Sequence, residues 1–571
     1  MLKKTVVSKY TASYTIKRLL SNNASKKIII DPSTVEFTKR NDSILKNLNL
    51  FYPSMTDINN NTNNSNIGIK AKSINQFQLD YSNINEDSTN DIVSINGRIK
   101  NIRYSGKKIC FIDLYDSNRN DQVLQLIINF NIISKFNQNN LTNEIFTKNI
   151  NLYKVGDYIH SIGYPGLSQS HQKNLSLKCN QLPKFLSTAQ LPLPPKLADH
   201  NKIKNNRVVD YQVNGVSSLI LRSFIIKQIR SFLDIQNFIE VETPILSNKS
   251  NGAHATPFET KLSSMKHDPL QSNLFLRISP ELWLKRLIVS GLDRVYEIGK
   301  VFRNEGIDQT HNPEFTTLEF YQSYASLEDL INQSQDLFKF ILLNLNDSKL
   351  IHGDAKEVTS KLINELSNNN WKFNRVDFLP TLTKEINNGI DYTKFDLNDS
   401  ISLLNSIPSD ARNKILPASS EEGFKISSQQ ILDKLSSYYI ESRYCNSLLP
   451  TLIYHHPTVM SPLAKSNPAN PIISKRFELY INGKEYINAY EEENCPQEQE
   501  QKFLNQKFVN ENFNDTEALS IDSQYIEAMK WGMPPIGGLG LGIDRLCMLL
   551  LNKQRIDEVL SFGCIDAVNR Q

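Results

Sequence analysis

Short runs of alternating apolar and polar residues fill residues 91–185. Alternation with a period of two, interrupted by turn residues, is typical of β-strands. The runs read DIVSINGRI, KICFIDLYD, QVLQLIINF, GDYIHSIGYPG and NLSLKC. The pattern predicts a five-stranded barrel of the OB type, although another small β-barrel would have the same signature. OB barrels often bind oligonucleotides, so an RNA partner becomes a candidate.

The pattern changes after the predicted barrel. LPLPPK at residues 191–196 predicts a stiff linker, which we place at residues 186–212. A large second domain over residues 213–571 opens with a helix, whose apolar residues recur at helical spacing: Leu219, Ile226, Ile229 and Leu233. The helix leads into FIEVETPIL, a predicted strand that ends near Pro244.

Strand-like and helical stretches both occur in this second domain. Residues 274–324 are strand-like, whereas residues 326–430 are mostly helical with polar loops, and we interpret the latter as an insertion. KRFELYINGKEYINAYEEEN and PPIGGLGLGIDRLCMLLLN close the chain. The domain is therefore predicted to be α+β.

Composition adds few constraints. A chain of 571 residues is too long for one core, so two or three domains are expected. Its net charge of +4 permits a nucleic-acid partner without requiring one. The six cysteines form no C-x-x-C pair, which argues against a zinc module or a disulfide framework and suits a reducing compartment. No apolar run reaches about 18 residues, so no membrane span is expected.

The amino-terminal region is distinct in composition. Residues 1–30 contain seven Lys or Arg residues, many Ser and Thr, and no acid before Asp31. This predicts a mitochondrial transit peptide, with a disordered basic arm that binds RNA as the alternative. Residues 31–90 are rich in Asn and Ser, as in INNNTNNSN, and are interpreted as a poorly ordered lead-in, with SILKNLNLFYP as a short helix.

Residues 301–320, VFRNEGIDQTHNPEFTTLEF, combine two strand-like ends with a charged middle. The simple interpretation is a solvated hairpin tip. However, side chains alternate faces along a strand, so one face of the second strand carries an aromatic ring, a carboxylate and a phenol. These are on Phe315, Glu319 and Tyr321, with Thr317 between them. Such a face suits a site that stacks a ring and holds a cation.

Asn482-Gly483 predicts a tight hairpin between FELYI and KEYIN. The turn makes Tyr480 oppose Glu485, so Glu478 and Glu485 lie diagonally on one face. Two such carboxylates repel each other unless a cation lies between them. Two solvated acids on an edge hairpin are the alternative.

The glycines of GGLGLGIDR allow a ligand to approach the backbone closely, and a helix starting near Asp544 directs its positive end towards that ligand. The alternative is a Gly-rich strand packed closely on a neighbour. The stretch matches neither a P-loop nor G-x-G-x-x-G.

Three stretches resemble, in order, motifs 1, 2 and 3 of the class II aminoacyl-tRNA synthetases: NFIEVETPIL, VFRNEGIDQTHNPEFTTLEFY and GLGLGIDRL. Within the subclass that has an amino-terminal OB anticodon domain, RISPELWLKRL, HHPTVMSPLAK and RFELYINGKEYINAYEE resemble the lysyl-tRNA synthetases. The resemblance covers residues 91–570. It implies an antiparallel sheet flanked by helices, ATP-dependent activation of L-lysine, transfer to tRNA(Lys), and Mg²⁺ with ATP. It also implies a homodimer built partly on motif 1. Together with the basic leader, it implies that the protein is located in the mitochondrial matrix.

The resemblance also assigns the nucleotide end of the site. Lysine carboxylate and the α-phosphate of ATP are both anions, so their reaction needs fixed positive charge and positioning. Arg303 and Arg545 are the implied catalytic residues, since a guanidinium presents a planar fork of donors to such groups. The implied ATP-binding residues are Arg303, Glu305, His311, Asn312, Phe315, Glu485, Tyr486, Gly542 and Arg545. The implied metal pair is Glu478 and Glu485.

The remaining implied residues bind lysine or the anticodon. Those for lysine are Gly252, Glu281, Arg303, Glu319, Tyr321, Asn488 and Glu492. Among them, Glu492 and Tyr321 are expected to hold the ε-ammonium, whereas Glu491 and Glu493 are expected on an exposed acidic surface. The chain departs from the family at Asn251, where glycine is frequent. The residues implied for anticodon binding are Arg103, Phe111 and Gln125. The alternative for Phe111 is that it belongs to the core of the barrel.

One parity conflict follows from these assignments. Glu485 and Asn488 are an odd number of residues apart, so a regular strand would place them on opposite faces. We therefore predict a β-bulge between them, since bulges are frequent next to active sites.

Three alternative functions remain. An aspartyl or asparaginyl enzyme would need a basic pocket end, whereas this chain offers Glu492 and Tyr321. A truncated relative that ligates lysine-like groups onto proteins would lack the barrel. A catalytically dead RNA-binding paralogue would have no need of Arg303 and Arg545 together with the two acids of the hairpin.

Overall fold

The computed structural model describes residues 32–58, 71–116, 119–136, 141–169, 173–249, 252–253, 255–262, 273–415, 426–513 and 521–563. The predicted transit peptide and Asn251 lie outside these ranges. The chain forms two compact units: Met1–Leu197 with Val209–Val216, and Ala198–Val208 with Ser217–Gln571. The division thus falls within and just after the predicted linker. No helix of the described ranges has the length and apolar character that a membrane span requires.

The first unit contains a closed β-barrel. Its strands are β1 (Val93–Ser105), β2 (Ile109–Asp116), β3 (Arg119–Asn129), β4 (Tyr158–Leu167), β5 (Leu175–Cys179) and β6 (Lys184–Ser187). The strands follow the order β1-β2-β3-β5-β4, β4 pairs back with β1, and β6 pairs with β4. Only β3 and β5 pair in parallel. This confirms the predicted OB-type barrel.

Much of the described part of the lead-in is helical, so its interpretation as poorly ordered is wrong there, whereas residues 59–70, with most of INNNTNNSN, lie outside the described residues. The helices of this unit are Pro32–Lys46, Leu48–Phe51, Ile74–Asp80, Phe130–Phe136 and Asn143–Ile150. Ile44, Phe51, Ile74 and Phe77 are buried in the same core as the barrel strands. Burying each such side chain stabilises the fold by about 1.5–3 kcal/mol, which outweighs the polar composition between them.

The second unit is built on an eight-stranded sheet. The strands are β7 (Ile239–Glu240), β11 (Arg294–Phe302), β12 (Glu314–Ser323), β13 (Asn374–Asp377), β14 (Thr451–Tyr454), β17 (Arg476–Ile481), β18 (Lys484–Glu491) and β19 (Ile536–Gly542). They follow the order β13-β14-β17-β18-β19-β12-β11-β7. Pairing is antiparallel except at the two ends. The predicted antiparallel sheet is confirmed, but the strand predicted up to Pro244 contains only two residues.

Small sheets and helices surround this main sheet. The small sheets consist of β8 (Leu246–Ser247), β9 (Glu259–Lys261) and β10 (Asn273–Leu276), and of β15 (Ser466–Asn467) and β16 (Asn470–Ser474). The helices are His200–Asn205, Ser217–Ile235, Glu281–Val289, Leu327–Asp347, Gly353–Asn368, Phe378–Ile386, Ser400–Ser406, Ser409–Ile415, Ser428–Leu435, Ser442–Tyr444, Pro496–Phe513, Ser523–Lys530 and Ile543–Leu550. A π-helical turn spans Ser436–Glu441, and 3₁₀ turns span Thr458–Met460 and Ile556–Glu558. One further helix, Arg207–Asn214, crosses the boundary between the units.

Two sequence predictions need correction here. The helix Ser217–Ile235 buries Leu221, Ile225, Ile229, Phe232 and Leu233, so Leu219 and Ile226 are not on its fully buried face. This helix is apolar on more than one side, so spacing alone did not identify the face that packs.

The segment 326–430 is helical as predicted, but it is not simply an insertion. It contributes β13 to the main sheet, and its first two helices share the core of that sheet.

Candidate active site

A cavity of about 730 Å³ lies in the second unit. Every residue that the resemblance assigns to ATP, lysine or metal lines this cavity. The residues come from the loop between β11 and β12, from β12, from the β17–β18 hairpin and the residue after it, and from β19 with the helix that follows it. Gly252 and the first residue of the helix Glu281–Val289 complete the set. Residues far apart in sequence are therefore brought together, while their individual roles remain predictions.

The side chains that strand parity places on one face of β12 do lie on one face, and that face borders the cavity. In the β11–β12 pair, Val301 opposes Phe315 and Glu297 opposes Glu319. Phe315, Glu319 and Tyr321 line the cavity together with Thr317. The loop before β12 is not merely a solvated tip, because the exposed side chains of Glu305 and His311 line the same cavity.

Arg303 is held in position but is not fully paired. Its guanidinium carbon lies 5.2 Å from the centre of the Phe315 ring. Its backbone N–H donates to Pro313 O at 2.8 Å and closes the loop. Nε is buried and has no hydrogen-bond partner within the described ranges. A buried donor of this kind is costly without an acceptor, so the arrangement suits an incoming anion.

His311 connects the motif 2 loop to Arg545. Arg545 Nη2 lies 2.8 Å from His311 Nε2, and His311 Nδ1 lies 2.8 Å from Asp308 Oδ2. Arginine only donates, so Nε2 accepts and Nδ1 carries the proton that goes to Asp308. Burial opposes ionisation of Asp308, but the Thr310 backbone N–H and His311 outweigh it and hold the pKa of Asp308 well below its usual range.

The β17–β18 hairpin has the predicted turn and the predicted bulge. Asn482 and Gly483 have φ values of 49° and 70°, and Tyr480 opposes Glu485. The register then shifts, so that Glu478 opposes Asn488. Tyr486 falls at this shift, between paired positions 485 and 487, as an extra residue. The bulge is thus confirmed, and it explains why Glu485 and Asn488 both line the cavity.

The two acids of this hairpin have unequal surroundings. Glu478 accepts a hydrogen bond from Tyr480 at 2.9 Å and pairs with Arg476, while His456 Nε2 lies 3.4 Å away. Burial opposes its ionisation, but Arg476 and His456 hold the pKa of Glu478 well below the usual value. For Glu485, burial and the Glu478 charge raise the pKa, against the opposing effect of Arg545.

This donor set fits magnesium held jointly with a nucleotide. The two carboxylates are hard oxygen donors, which Mg²⁺ prefers, and the raised pKa of Glu485 reflects its burial and then the charge of Glu478. No group of three or more His, Cys, Asp or Glu side chains in the described ranges could hold a metal unaided. Phosphate oxygens would therefore be needed to complete the coordination shell.

The opposite end of the cavity is acidic. Ser279 Oγ donates to Glu319 at 3.0 Å, and Tyr321 OH donates to Glu319 at 3.2 Å. Burial and the neighbouring Glu281 raise the pKa of Glu319 to about 8. Tyr490 OH donates to Glu281 at 2.7 Å.

Two glycines keep this end open. Gly252 has φ of +99°, a conformation that favours glycine. A Cβ on Gly538 would lie 2.2 Å from Glu492 Oε1 and 2.4 Å from Tyr321 Cε1. The glycine-rich strand therefore does pack closely on its neighbours, as the alternative interpretation held, but those neighbours are residues of the cavity.

The EEEN segment differs from its predicted exposure. Glu493 is only 2% exposed and pairs with Lys465 and Lys502, each at 2.8 Å. Glu491 is partly buried and pairs with Lys475 at 2.7 Å. The prediction of a solvated acidic surface is wrong, because lysines distant in sequence or on other elements neutralise both acids.

Three residues of the site were not identified from the sequence. Arg476 donates to Asn488 Oδ1 at 3.0 Å and pairs with Glu478. Arg476 and Glu478 are two residues apart on one strand, so parity could have revealed Arg476. His456 is buried, and its Nδ1 finds no partner in the described part of the chain. Lys285 is fully buried beside Glu281 and Glu492. The spacing of Glu281 and Lys285 on one helix could have indicated their pairing, whereas no local pattern indicates the contact with Glu492.

The implied anticodon residues share one outer face of the barrel. Arg103 opposes Phe111, and Asp113, two residues further along β2, opposes Gln125. Arg103 donates to Asp113 at 2.8 Å. Phe111 is partly exposed between the fully buried Cys110 and Ile112. Phe111 therefore does not belong to the barrel core.

Comparison with known proteins agrees with this architecture. The family model described as tRNA synthetases class II (D, K and N) matches residues 199–565. The mitochondrial lysine–tRNA ligase of Saccharomyces cerevisiae is 53% identical over 557 residues, which is 95% of this chain and 94% of that protein. The mitochondrial lysine–tRNA ligase of Schizosaccharomyces pombe is 38% identical over 82% of this chain and 83% of its own length. A lysine–tRNA ligase of Mesomycoplasma hyopneumoniae is 39% identical over 74% of this chain and 79% of its own. With this sheet, this cavity and these relatives, the chain belongs to the class II tRNA synthetases of the D, K and N group.

Proposed function

We propose that the protein is a lysine–tRNA ligase of mitochondria, which activates L-lysine with ATP and transfers it to tRNA(Lys). One observation carries the proposal: a single cavity has arginines at one end and carboxylates at the other. Lysine has a carboxylate to react and two ammonium groups to bind, so it matches both ends. The relatives named as lysine–tRNA ligases, two of them mitochondrial, support the same conclusion.

The first step needs positioned charge and no nucleophilic side chain. A lysine carboxylate oxygen bonds to the α-phosphorus of ATP, and the bond to pyrophosphate breaks, which yields lysyl-adenylate. Arg303 would approach both anions from its stacked position over Phe315, and its unpaired Nε is one available donor. Arg545 is oriented by His311 and by the Glu485 carbonyl, to which Nη1 donates at 2.9 Å.

The second step uses the same site. A terminal ribose hydroxyl of tRNA attacks the lysyl carbonyl carbon, and AMP leaves. Asn488, whose side chain accepts a hydrogen bond from Arg476, would hold the lysyl group near its carboxyl end. Glu478 and Glu485 would hold Mg²⁺, whose contribution when bound is to neutralise phosphate charge.

We further propose a homodimer that uses the motif 1 region. Large apolar side chains there remain exposed: Ile235 at 70%, Ile239 at 50% and Leu246 at 48%. Their proximity in sequence and their exposure suit a contact with a second copy. Sedimentation of the purified protein would test this, since a monomer at micromolar concentration contradicts it.

The activity has a direct test. Purified protein should exchange labelled pyrophosphate into ATP with lysine and then charge mitochondrial tRNA(Lys). Aspartate and asparagine should fail, because a carboxylate or amide side chain would meet Glu281, Glu319 and Glu492. A protein that charges tRNA with aspartate or asparagine, or with no amino acid, would contradict the proposal. Import of a reporter fused to residues 1–40 would test the mitochondrial location.

A further inference from the structure

Lys285 is a buried cation directly behind the acidic end of the cavity. It lies one turn after Glu281 on the helix Glu281–Val289, and its side chain is fully buried. Its Nζ forms ion pairs with Glu281 Oε1 and Glu492 Oε2. These carboxylates line the cavity, whereas the lysine contacts them from behind.

Aromatic rings complete the surroundings of this ammonium group. Nζ lies 5.6–5.9 Å from the ring centres of Tyr321, Tyr490 and Tyr525. Such rings stabilise a desolvated cation without neutralising it. Burial opposes the charged form, but Glu281 and Glu492 outweigh it and raise the pKa of Lys285 above its usual value.

The acidic end of the cavity holds three buried carboxylates, those of Glu281, Glu319 and Glu492. Lys285 forms ion pairs with two of them, Glu281 and Glu492. Bound lysine would bring two ammonium groups, while its carboxylate faces Arg303. The internal ammonium and the two ligand ammonium groups together match the three carboxylates.

We propose that Lys285 is a positioning residue. Its charge offsets one of the three carboxylates, so that the two ammonium groups of the ligand balance the other two, and it favours the ionised form of Glu492, which receives the ε-ammonium of the amino acid. The inference rests on the proposed function. It assigns a selectivity role to a residue that acts through Glu281 and Glu492.

The state of Glu492 supports this role. Both of its carboxylate oxygens are buried, and the Lys285 ammonium pairs with Oε2. Burial, with Glu281 and Glu319, raises the pKa of Glu492 well above its usual value, and Lys285 opposes this rise. Without Lys285, a proton would occupy Glu492 in place of an ionic partner, and the preference for a charged side-chain end would be lost.

Substitution of Lys285 gives the main test. We would measure dissociation constants for lysine and for 2-aminoheptanoic acid, in which a methyl group replaces the ε-ammonium. Lys285→Met should weaken lysine binding by about 100-fold or more, in line with loss of a buried charge partner. The dissociation constant of the analogue should change by less than about threefold, so that the preference for lysine over the analogue is largely lost. An equal loss for both ligands, or an unchanged ratio, would overturn the proposal.

The adjacent residue supplies a matched control. Arg286 lies on the same helix and pairs with Asp522 at 3.0 Å, but it does not line this cavity. Arg286→Met should leave the ratio of the two constants unchanged. Lys285→Gln, which is smaller but polar, serves as the second variant if Lys285→Met fails to fold.

A measurement on the parent protein needs no variant. Glu319, with its pKa of about 8, should lose its proton when lysine binds at pH 7. If Lys285 keeps Glu492 ionised, calorimetry in buffers of different ionisation enthalpy should find release of about one proton. Release of about two protons would mean that Glu492 is neutral and would contradict the inference. Failure of the parent to exchange pyrophosphate with lysine would instead contradict the proposed function.

Discussion

His311 Nε2 accepts a hydrogen bond from Arg545 Nη2 at 2.8 Å, which joins the motif 2 loop to the helix after β19 at the nucleotide end of the cavity. His311→Ala removes this acceptor and leaves the Arg545 guanidinium less restrained. We expect the KM for ATP to rise by about tenfold, as for loss of a charge-assisted hydrogen bond of about 1.5 kcal/mol. The KM for lysine should stay within about twofold, since His311 is distant from the acidic end. A larger effect on lysine than on ATP would contradict this assignment.

Glu485→Gln should raise both the stability of the protein and its requirement for Mg²⁺. Removing this charge relieves repulsion with Glu478, so the free energy of unfolding without nucleotide should rise. The same variant should need more Mg²⁺ for half-maximal pyrophosphate exchange. Thermal melts and a Mg²⁺ titration check the two effects. Unchanged Mg²⁺ dependence would exclude Glu485 from the metal site.

Glu319 predicts a pH-dependent affinity for lysine. Its pKa is raised from 4.5 to about 8, so the free site holds a proton at pH 7 that a bound ammonium must displace. The KM for lysine should therefore fall as pH rises from 6 to 8, approaching tenfold per unit. The unfolded chain releases the same proton near pH 4.5, so this residue lowers stability progressively across pH 4.5–8. Glu319→Gln should remove the slope in KM, and a slope that persists would point to another group.

Glu492 and Glu493 should respond differently to the same substitution. Glu492→Gln should lower kcat/KM for lysine by about two to four orders of magnitude with ATP binding retained, as for loss of a buried charge partner. Glu493→Gln leaves Lys465 and Lys502 underpaired and should cost about 1–3 kcal/mol of stability with little change in specificity. Steady-state kinetics and thermal melts distinguish the two. Near-parental lysine activation by Glu492→Gln would refute the lysine pocket.

Phe111→Ala tests the barrel face. Base stacking is worth about 1–3 kcal/mol per base, so tRNA charging should weaken while lysine-dependent pyrophosphate exchange stays constant. Parallel loss in both assays would indicate general destabilisation. Ile112→Ala, one residue along and fully buried, provides that comparison because it should destabilise the barrel.

Local patterns predicted much of the fold and of the site. Strand parity identified the face of Phe315, Glu319 and Tyr321, and the Asn482-Gly483 turn fixed the hairpin register. The bulge at Tyr486 followed from combining parity with the family resemblance. These features depend on neighbours a few residues apart, and such spacing is visible in a sequence.

Contacts between distant elements could not be read in the same way. Lys285 pairs with Glu492 and Lys502 with Glu493 only because separate elements pack together. Polar composition likewise suggested disorder at residues 31–90, although a few apolar residues find a core there. Composition averages over positions, whereas burial depends on which single side chains meet.

The helices before the barrel set a limit on proteolytic maturation. Ile44, Phe51, Ile74 and Phe77 belong to the barrel core, and Arg40 pairs with Asp157 at 2.6 Å with both side chains buried. If the proposed leader is removed by a processing protease, a cut after Arg40 would also remove the buried pair with Asp157. On the proposed maturation, the new amino terminus should therefore lie before Arg40. Recombinant protein for assays should begin no later than residue 31 if it is to keep an intact barrel.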